Sequence, residues 1–228
     1  MRPASAVAPV AATMLRVDPD LPTERRILLA AEQLFAERGI DAVSLRAVMA
    51  AAGTNVASVH YHFGSKDALV EALIRERAGE VSARRAELLD GLAEPGRLDA
   101  PSLARAFVEP VAHMALHDGP HWVRMVAGIM ASGHPSISVL IDGFRTQART
   151  FTELLSQLHP EWSPEKVRFR LSHAMRTTFT ALGDLGLDHD LPQISTSAMS
   201  TQEIVAELND LVASVLSDPE PRPPEARG

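Results

Sequence analysis

The sequence predicts an all-α protein of about nine helices. A three-helix helix-turn-helix unit lies near the N-terminus, and one long helix joins it to a larger C-terminal bundle. Three observations carry this. Alanine, leucine, arginine and glutamate, which are good helix formers, dominate long stretches. Apolar residues recur at a spacing of three and four between capping residues and Gly or Pro breaks. No segment alternates as a strand would, and no internal repeat is present.

Taken in order, residues 1–22 hold Pro3, Pro9, Pro19 and Pro22 among small residues and read as a disordered arm. Thr23 is expected to cap a helix carrying Ile27, Ala31, Leu34 and Phe35, which Gly39 ends. Ser44 caps a second helix with Leu45, Val48 and Met49, closed by Gly53. A short third helix follows from Asn55 to Tyr61. Ser65 caps a long helix from Lys66 to Leu92, broken by Glu94-Pro95-Gly96. Ser102 is expected to open a segment reaching His117, before Asp118-Gly119-Pro120. Trp122–Ala131 is an apolar helix ended by Gly133-His134-Pro135, and another runs from Ser136 to Leu158. Ser163-Pro164-Glu165 combines a capping Ser with Pro at the first helical position. One face of that helix holds Val167, Leu171, Ala174, Thr178, Ala181 and Leu185. Ser200 and Glu203 form a capping box before Ile204, Leu208, Leu211 and Leu216. The expected organisation is therefore an arm over 1–22, a helix-turn-helix domain over 23–69, a bundle over 70–217 and a tail over 218–228.

Composition narrows the function classes. Aromatics are scarce at 4%, so aliphatic side chains carry the core. The absence of cysteine excludes disulfides and thiolate metal sites and fits a reducing cytoplasm. No apolar run approaches the roughly 18–20 residues of a membrane span. Ala4–Ala12 lacks the basic start and long apolar stretch of a signal peptide. The net charge of −7 is unevenly placed: residues 1–67 are neutral, whereas residues 68–228 hold 15 Lys/Arg against 22 Asp/Glu. That argues against generic coating of nucleic acid, which needs a strongly basic surface.

Residues 44–66, SLRAVMAAAGTNVASVHYHFGSK, place two short helices about a turn at Gly53-Thr54-Asn55. A helix that reads a DNA groove must pack one face and offer small or polar side chains on the other. Val56 and Val59 suit the packed face, with Phe63 closing the unit. Thr54, Asn55, Ala57, Ser58, His60 and Tyr61 are left outward. Thr and Asn can bond phosphates or base edges, and Ala57 can touch a thymine methyl. On spacing alone, helix–glycine–helix triplets that bind no DNA look the same.

The stretch Thr23–Leu73 resembles the DNA-binding domain of the TetR/AcrR family of transcriptional regulators. The resemblance rests on AAEQLFAERGIDAVSLRAVMAAAG and then YHFGSKDALVEAL. It implies that Ser44 and Arg46 open a helix that braces the DNA backbone. It also implies that Thr54, Asn55, Ala57, Ser58 and His60 face the major groove, and that Tyr61 and Lys66 contact phosphates. Many members carry Val-Ser after the turn glycine where this chain has Thr54-Asn55, which implies altered contacts.

The same resemblance implies a homodimer through the last two long helices, about Pro164–Leu187 and Thr201–Leu216, bound to a palindromic double-stranded operator and acting by default as a repressor. It further implies an effector pocket inside the bundle. The candidate lining is Trp122, Met125, Ile129 and Met130, with Phe144, Phe151, His173, Arg176, Thr177, Phe179 and Thr180. Arg176 is the candidate for an anionic head group. The WVRMVAGIM segment and Glu165-Lys166-Val167 with Arg170 loosely resemble the branch that senses fatty acids or acyl-CoA, pointing to a lipophilic or acyl effector. The helix over 66–92 is the expected lever. Moving it would take paired recognition helices off the spacing of about 34–36 Å that successive grooves require.

Two other readings stay open at this level: a DNA-binding regulator without an effector, and an enzyme carrying a helix-turn-helix. Against the enzyme, the sequence has no Gly-rich phosphate loop, nucleophile elbow or paired catalytic carboxylates. His113, His117 and His121 are four apart, but Asp118-Gly119-Pro120 interrupts the helix before the third, so no metal site is expected. No cofactor is expected either.

Overall fold

The computed structural model describes residues 18–55, 61–92, 94, 96–117, 119–185 and 199–218. Among them the chain forms eight α-helices and no strand: α1 (Thr23–Arg38), α2 (Leu45–Ala51), α3 (Lys66–Leu92), α4 (Ala100–Leu116), α5 (Pro120–Ser132), α6 (Ile137–Leu158), α7 (Pro164–Gly183) and α8 (Thr201–Val215). The expected short helix from Asn55 to Tyr61 falls mostly outside the described residues. So do the first 17 residues and the tail beyond Asp218.

Most helix starts follow the capping chemistry. The hydroxyls of Ser44, Ser65 and Ser163 accept from the backbone N–H of Ala47, Ala68 and Lys166 at 3.2, 3.1 and 3.3 Å. Ser200 and Glu203 form the reciprocal box, at 3.3 and 2.7 Å. Three starts differ from expectation. α4 opens at Ala100 because the Asp99 carboxylate accepts from the Ser102 N–H at 2.8 Å. That leaves Pro101 in the first turn, where its missing N–H has no consequence. α5 opens at Pro120, after Gly119 and with no side-chain cap, the proline again standing in the first turn. Thr23, expected as a cap, is instead the first helical residue of α1, after Pro22.

Ile27, Leu34 and Phe35 of α1 pack with Val48 and Met49 of α2 and with Leu69 and Leu73 in the first turns of α3. α3 spans 27 residues, or about 40 Å at the α-helical rise, and continues between α4 and α6. α5 lies between α1 and α7, while α8 rests on α4 and α7. The N-terminal unit and the bundle thus share one continuous core. The contact of α5 with α7 is close: a Cβ on Gly183 would stand 2.8 Å from the Ala127 Cβ. Arg124 fastens the same junction, donating to the carbonyls of Gly183 and Leu185 at 3.0 and 3.2 Å.

Candidate functional site

The turn after α2 is a Schellman closure. The N–H of Thr54 reaches the carbonyl of Met49 at 3.0 Å, and that of Gly53 reaches Ala50 at 3.3 Å. Gly53 adopts φ +62°, the left-handed conformation that this closure demands and that a side chain strains. The chain leaves α2 in a fixed direction, with Asn55 exposed and Thr54 half-buried. Arg46 is exposed on α2 and Tyr61 is 85% exposed. Lys66 opens α3, its Nζ donating to the Asp41 carbonyl at 3.4 Å. Ala57, Ser58 and His60 lie outside the described residues. Arg46, Asn55 and Tyr61 are thus each exposed, and Lys66 is half-buried at the N-terminus of α3, where anions are favoured.

A second feature lies in the bundle. A half-open cavity of about 40 Å³ sits between α3, α4, α5, α6 and α7. Phe107, Trp122, Phe144 and Phe179 wall it, together with Val126 and Met175. Arg85 of α3 also lines it, only 4% exposed. Ala78 and Gly143 meet at the edge, where α3 and α6 touch. Trp122 ties the cavity to the N-terminal unit: its indole N–H donates to the Leu73 carbonyl on α3 at 3.1 Å. Beside it Glu32 of α1 and Arg77 of α3, both buried, stand 3.7 Å apart. Burial raises the Glu32 carboxyl above its ordinary value, against the opposing pull of Arg77 and of the Trp122 backbone N–H.

Residues 27–73 match the model of the bacterial regulatory proteins of the tetR family, and residues 105–214 match the tetracyclin repressor-like C-terminal domain. The chain belongs to the TetR family. That family is one of bacterial regulatory proteins. UidR of Escherichia coli K12, an HTH-type transcriptional regulator, is 27% identical over 138 residues, covering 60% of this chain and 64% of UidR. KstR2 of Mycobacterium tuberculosis H37Rv, an HTH-type transcriptional repressor, is 28% identical over 132 residues, or 58% of this chain and 64% of KstR2. The matches thus span 64% of the length of these curated relatives. The solved structure of M. tuberculosis KstR2 superposes with TM-score 0.57 at 22% identity, over 87% of this chain and 97% of that one. The Bacillus halodurans fatty acid degradation regulator FadR superposes with TM-score 0.60 at 13% identity, over 85% and 96%. These likenesses establish the TetR fold.

Within that fold the expected pocket residues separate. Trp122, Phe144 and Phe179 meet at the cavity. Met125, Ile129 and Met130 are buried in the α5 packing without lining it. Phe151 stands behind the wall, 4.8 Å from the Phe107 ring. His173, Arg176 and Thr180 are exposed on the outer face of α7, and Thr177 is half-buried. Arg176 donates to the Met130 carbonyl at 3.2 Å, closing the end of α5. His173 packs on Phe169, with ring centroids 4.0 Å apart.

Arg85, Phe107 and Met175 were not anticipated. The signal for Arg85 was present: Val70, Ile74, Arg77, Val81 and Arg85 follow the three-and-four spacing of one buried stripe. Elsewhere, the His113 and His117 rings stack with centroids 4.4 Å apart. His159, Glu161 and Asp218 group within 4.8 Å of one another. Asp218 there already accepts from Lys166 and from the Trp162 indole at 2.7 and 2.9 Å, and His159 Nε2 bonds the Leu216 carbonyl at 3.0 Å. Those bonds make the group a clasp on the C-terminal end of the described chain.

Proposed function

We propose that this TetR regulator is a homodimeric repressor that grips a palindromic operator through residues 23–69 and is released by a small lipophilic effector held within residues 70–217. The observation that carries the reading is that cavity and DNA-facing edge share one helix. α3 begins at Lys66, passes the Trp122 indole at Leu73 and lines the cavity with Ala78, Val81 and Arg85. At about 40 Å³ the cavity is far below the several hundred Å³ that a drug-sized ligand fills. An effector must therefore part α3 from α6, and α3 carries the N-terminal unit with it. Allostery asks for such a pair of states with different ligand affinity.

Ser44, Arg46, Tyr61 and Lys66 would hold the phosphates, and Thr54, Asn55, Ala57, Ser58 and His60 would read the groove. The outer faces of α7 and α8 suit the two-fold interface, since Phe169 and Leu211 are 60% and 53% exposed there. His173, Arg176 and Thr180 share the Phe169 face and belong to this interface in the proposal. KstR2, described as a ketosteroid transcriptional regulator, is named a repressor, which supports repression and an apolar effector here. Titrating duplex DNA with the protein at several salt concentrations, beside sedimentation of the free protein, tests the reading. Two chains per duplex and a steep loss of affinity with salt support it. One chain per duplex, or no DNA binding, removes it.

A further inference from the structure

Arg85 is a buried cation that no acidic group among the described residues answers. Among the described residues no carboxylate forms an ion pair with it, in contrast to its neighbour Arg84, which pairs with Glu109. Burial alone lowers its guanidinium to about 10, so it remains charged at neutral pH. Its protein contacts orient the group without neutralising it. Nε and Nη2 donate to the carbonyls of Ala106 and Phe107 at 3.4 and 3.2 Å. The Ala106 carbonyl is available because Pro110, four residues on within α4, has no N–H to offer it. The rings of Phe107 and Phe144 lie 5.4 and 5.2 Å from the Arg85 carbon. Nη1 makes no hydrogen bond to a described residue, and Arg85 lines the cavity.

A charge held in an apolar interior without a counter-ion is strongly unfavourable, and mending a proline break in a helix needs only a neutral donor. The surroundings are as particular as the charge. The chain has two Trp, one Tyr and seven Phe, and four of these side chains enclose the same space.

We infer that Arg85 is the anchor for the carboxylate of the effector, which is a ring-bearing hydrophobic carboxylic acid. Its anion would meet Nη1 and the free N–H of Nη2, while its ring body lies among Phe107, Trp122, Phe144 and Phe179. A carboxylate suits the planar fork of a guanidinium. The inference rests on the cavity being the effector site. It adds the chemical class and places the charge contact on α3, the helix that also bears the DNA-facing unit.

The test is calorimetric titration of the full chain, without DNA, with 4-phenylbutyrate and cyclohexanebutyrate and with the primary amide of each. Wild-type protein is expected to bind at least one acid about tenfold or more tighter than its amide, the margin of a charge-assisted bond. Arg85→Met should bind acid and amide alike, and Arg85→Lys should keep a reduced preference. Equal affinity of acid and amide for wild type, binding of neither, or a preference that survives in Arg85→Met overturns the inference. Should Arg85→Met fail to fold, an unreduced preference in Arg85→Lys overturns it as well. Adding DNA separates this from the sensor reading. An acid that binds through Arg85 without releasing DNA upholds the anchor and removes the sensor, whereas release by neutral compounds with no acid bound does the reverse.

Discussion

The indole N–H of Trp122, in the wall of the cavity, donates to the backbone carbonyl of Leu73, two turns into the helix that begins at Lys66. Through it, a ligand that displaces the ring pulls directly on α3. Trp122→Phe keeps an aromatic wall and removes the bond. The expected result is a loss of about 1 kcal/mol of stability in urea unfolding, with DNA affinity nearly unchanged. Release of DNA by an effector should need a higher effector concentration.

Glu32 and Arg77 join α1 to α3 beneath that bond. Because burial raises the Glu32 carboxyl above 4.5, the folded chain holds its proton more readily than the unfolded chain. Its contribution to stability is then full below about pH 4.5 and is lost as pH rises through the higher folded value. Glu32→Gln removes this slope. The difference in urea midpoint between wild type and variant, followed upward from pH 4.5, should move steadily against the wild type. Arg77→Met takes the buried cation away from this carboxylate, leaving it Arg25 and the Trp122 N–H, and is expected to cost about 3 kcal/mol at neutral pH.

Gly53 is held at φ +62° by the closure of α2. Gly53→Ala should cost about 1 kcal/mol. Its helix content should remain, and its DNA affinity should fall because the segment after the turn is re-aimed. Circular dichroism with a DNA titration checks both.

Asn55 and Lys66 are expected to fail differently. Asn55→Ala should bind DNA with relaxed sequence preference. Lys66→Ala should weaken binding to all sequences alike and reduce the slope of log affinity against log salt by about 1. Titrations at four salt concentrations distinguish them.

Phe169 and Leu211 are apolar and outward on α7 and α8. The double variant Phe169→Glu with Leu211→Glu should sediment as a folded monomer. Its DNA affinity should drop towards the non-specific level, about a thousandfold or more.

How much of this was legible in the sequence depended on whether the cause was local. Helix starts at Ser44, Ser65, Ser163 and Ser200 are set by a side chain bonding an N–H three residues on, and a sequence displays that spacing. The turn at Gly53 is equally local. The α4 start was misplaced because Ser102 and Asp99 are both capping residues, and Pro101 decides between them only once its place in the first turn is considered. The cavity, by contrast, depends on packing between distant helices. α7 offers apolar or aromatic groups on more than one face, so periodicity alone could not separate Met175 and Phe179, which line the cavity, from Phe169 and His173, which point out. The charge of Arg85 marks it in the sequence as a surface residue. Its place on the stripe of Val70, Ile74 and Val81 outweighs its charge.

The central claim is that two copies of the edge after Gly53 read DNA together, and selection of binding duplexes from a random-sequence pool by the full-length protein addresses it most directly. The enriched sequences should form a palindrome whose half-sites are about 10 base pairs apart, or a multiple of that, centre to centre, and Asn55→Ala should blur positions within each half-site. Enrichment of a single asymmetric half-site, or none at all, would contradict it.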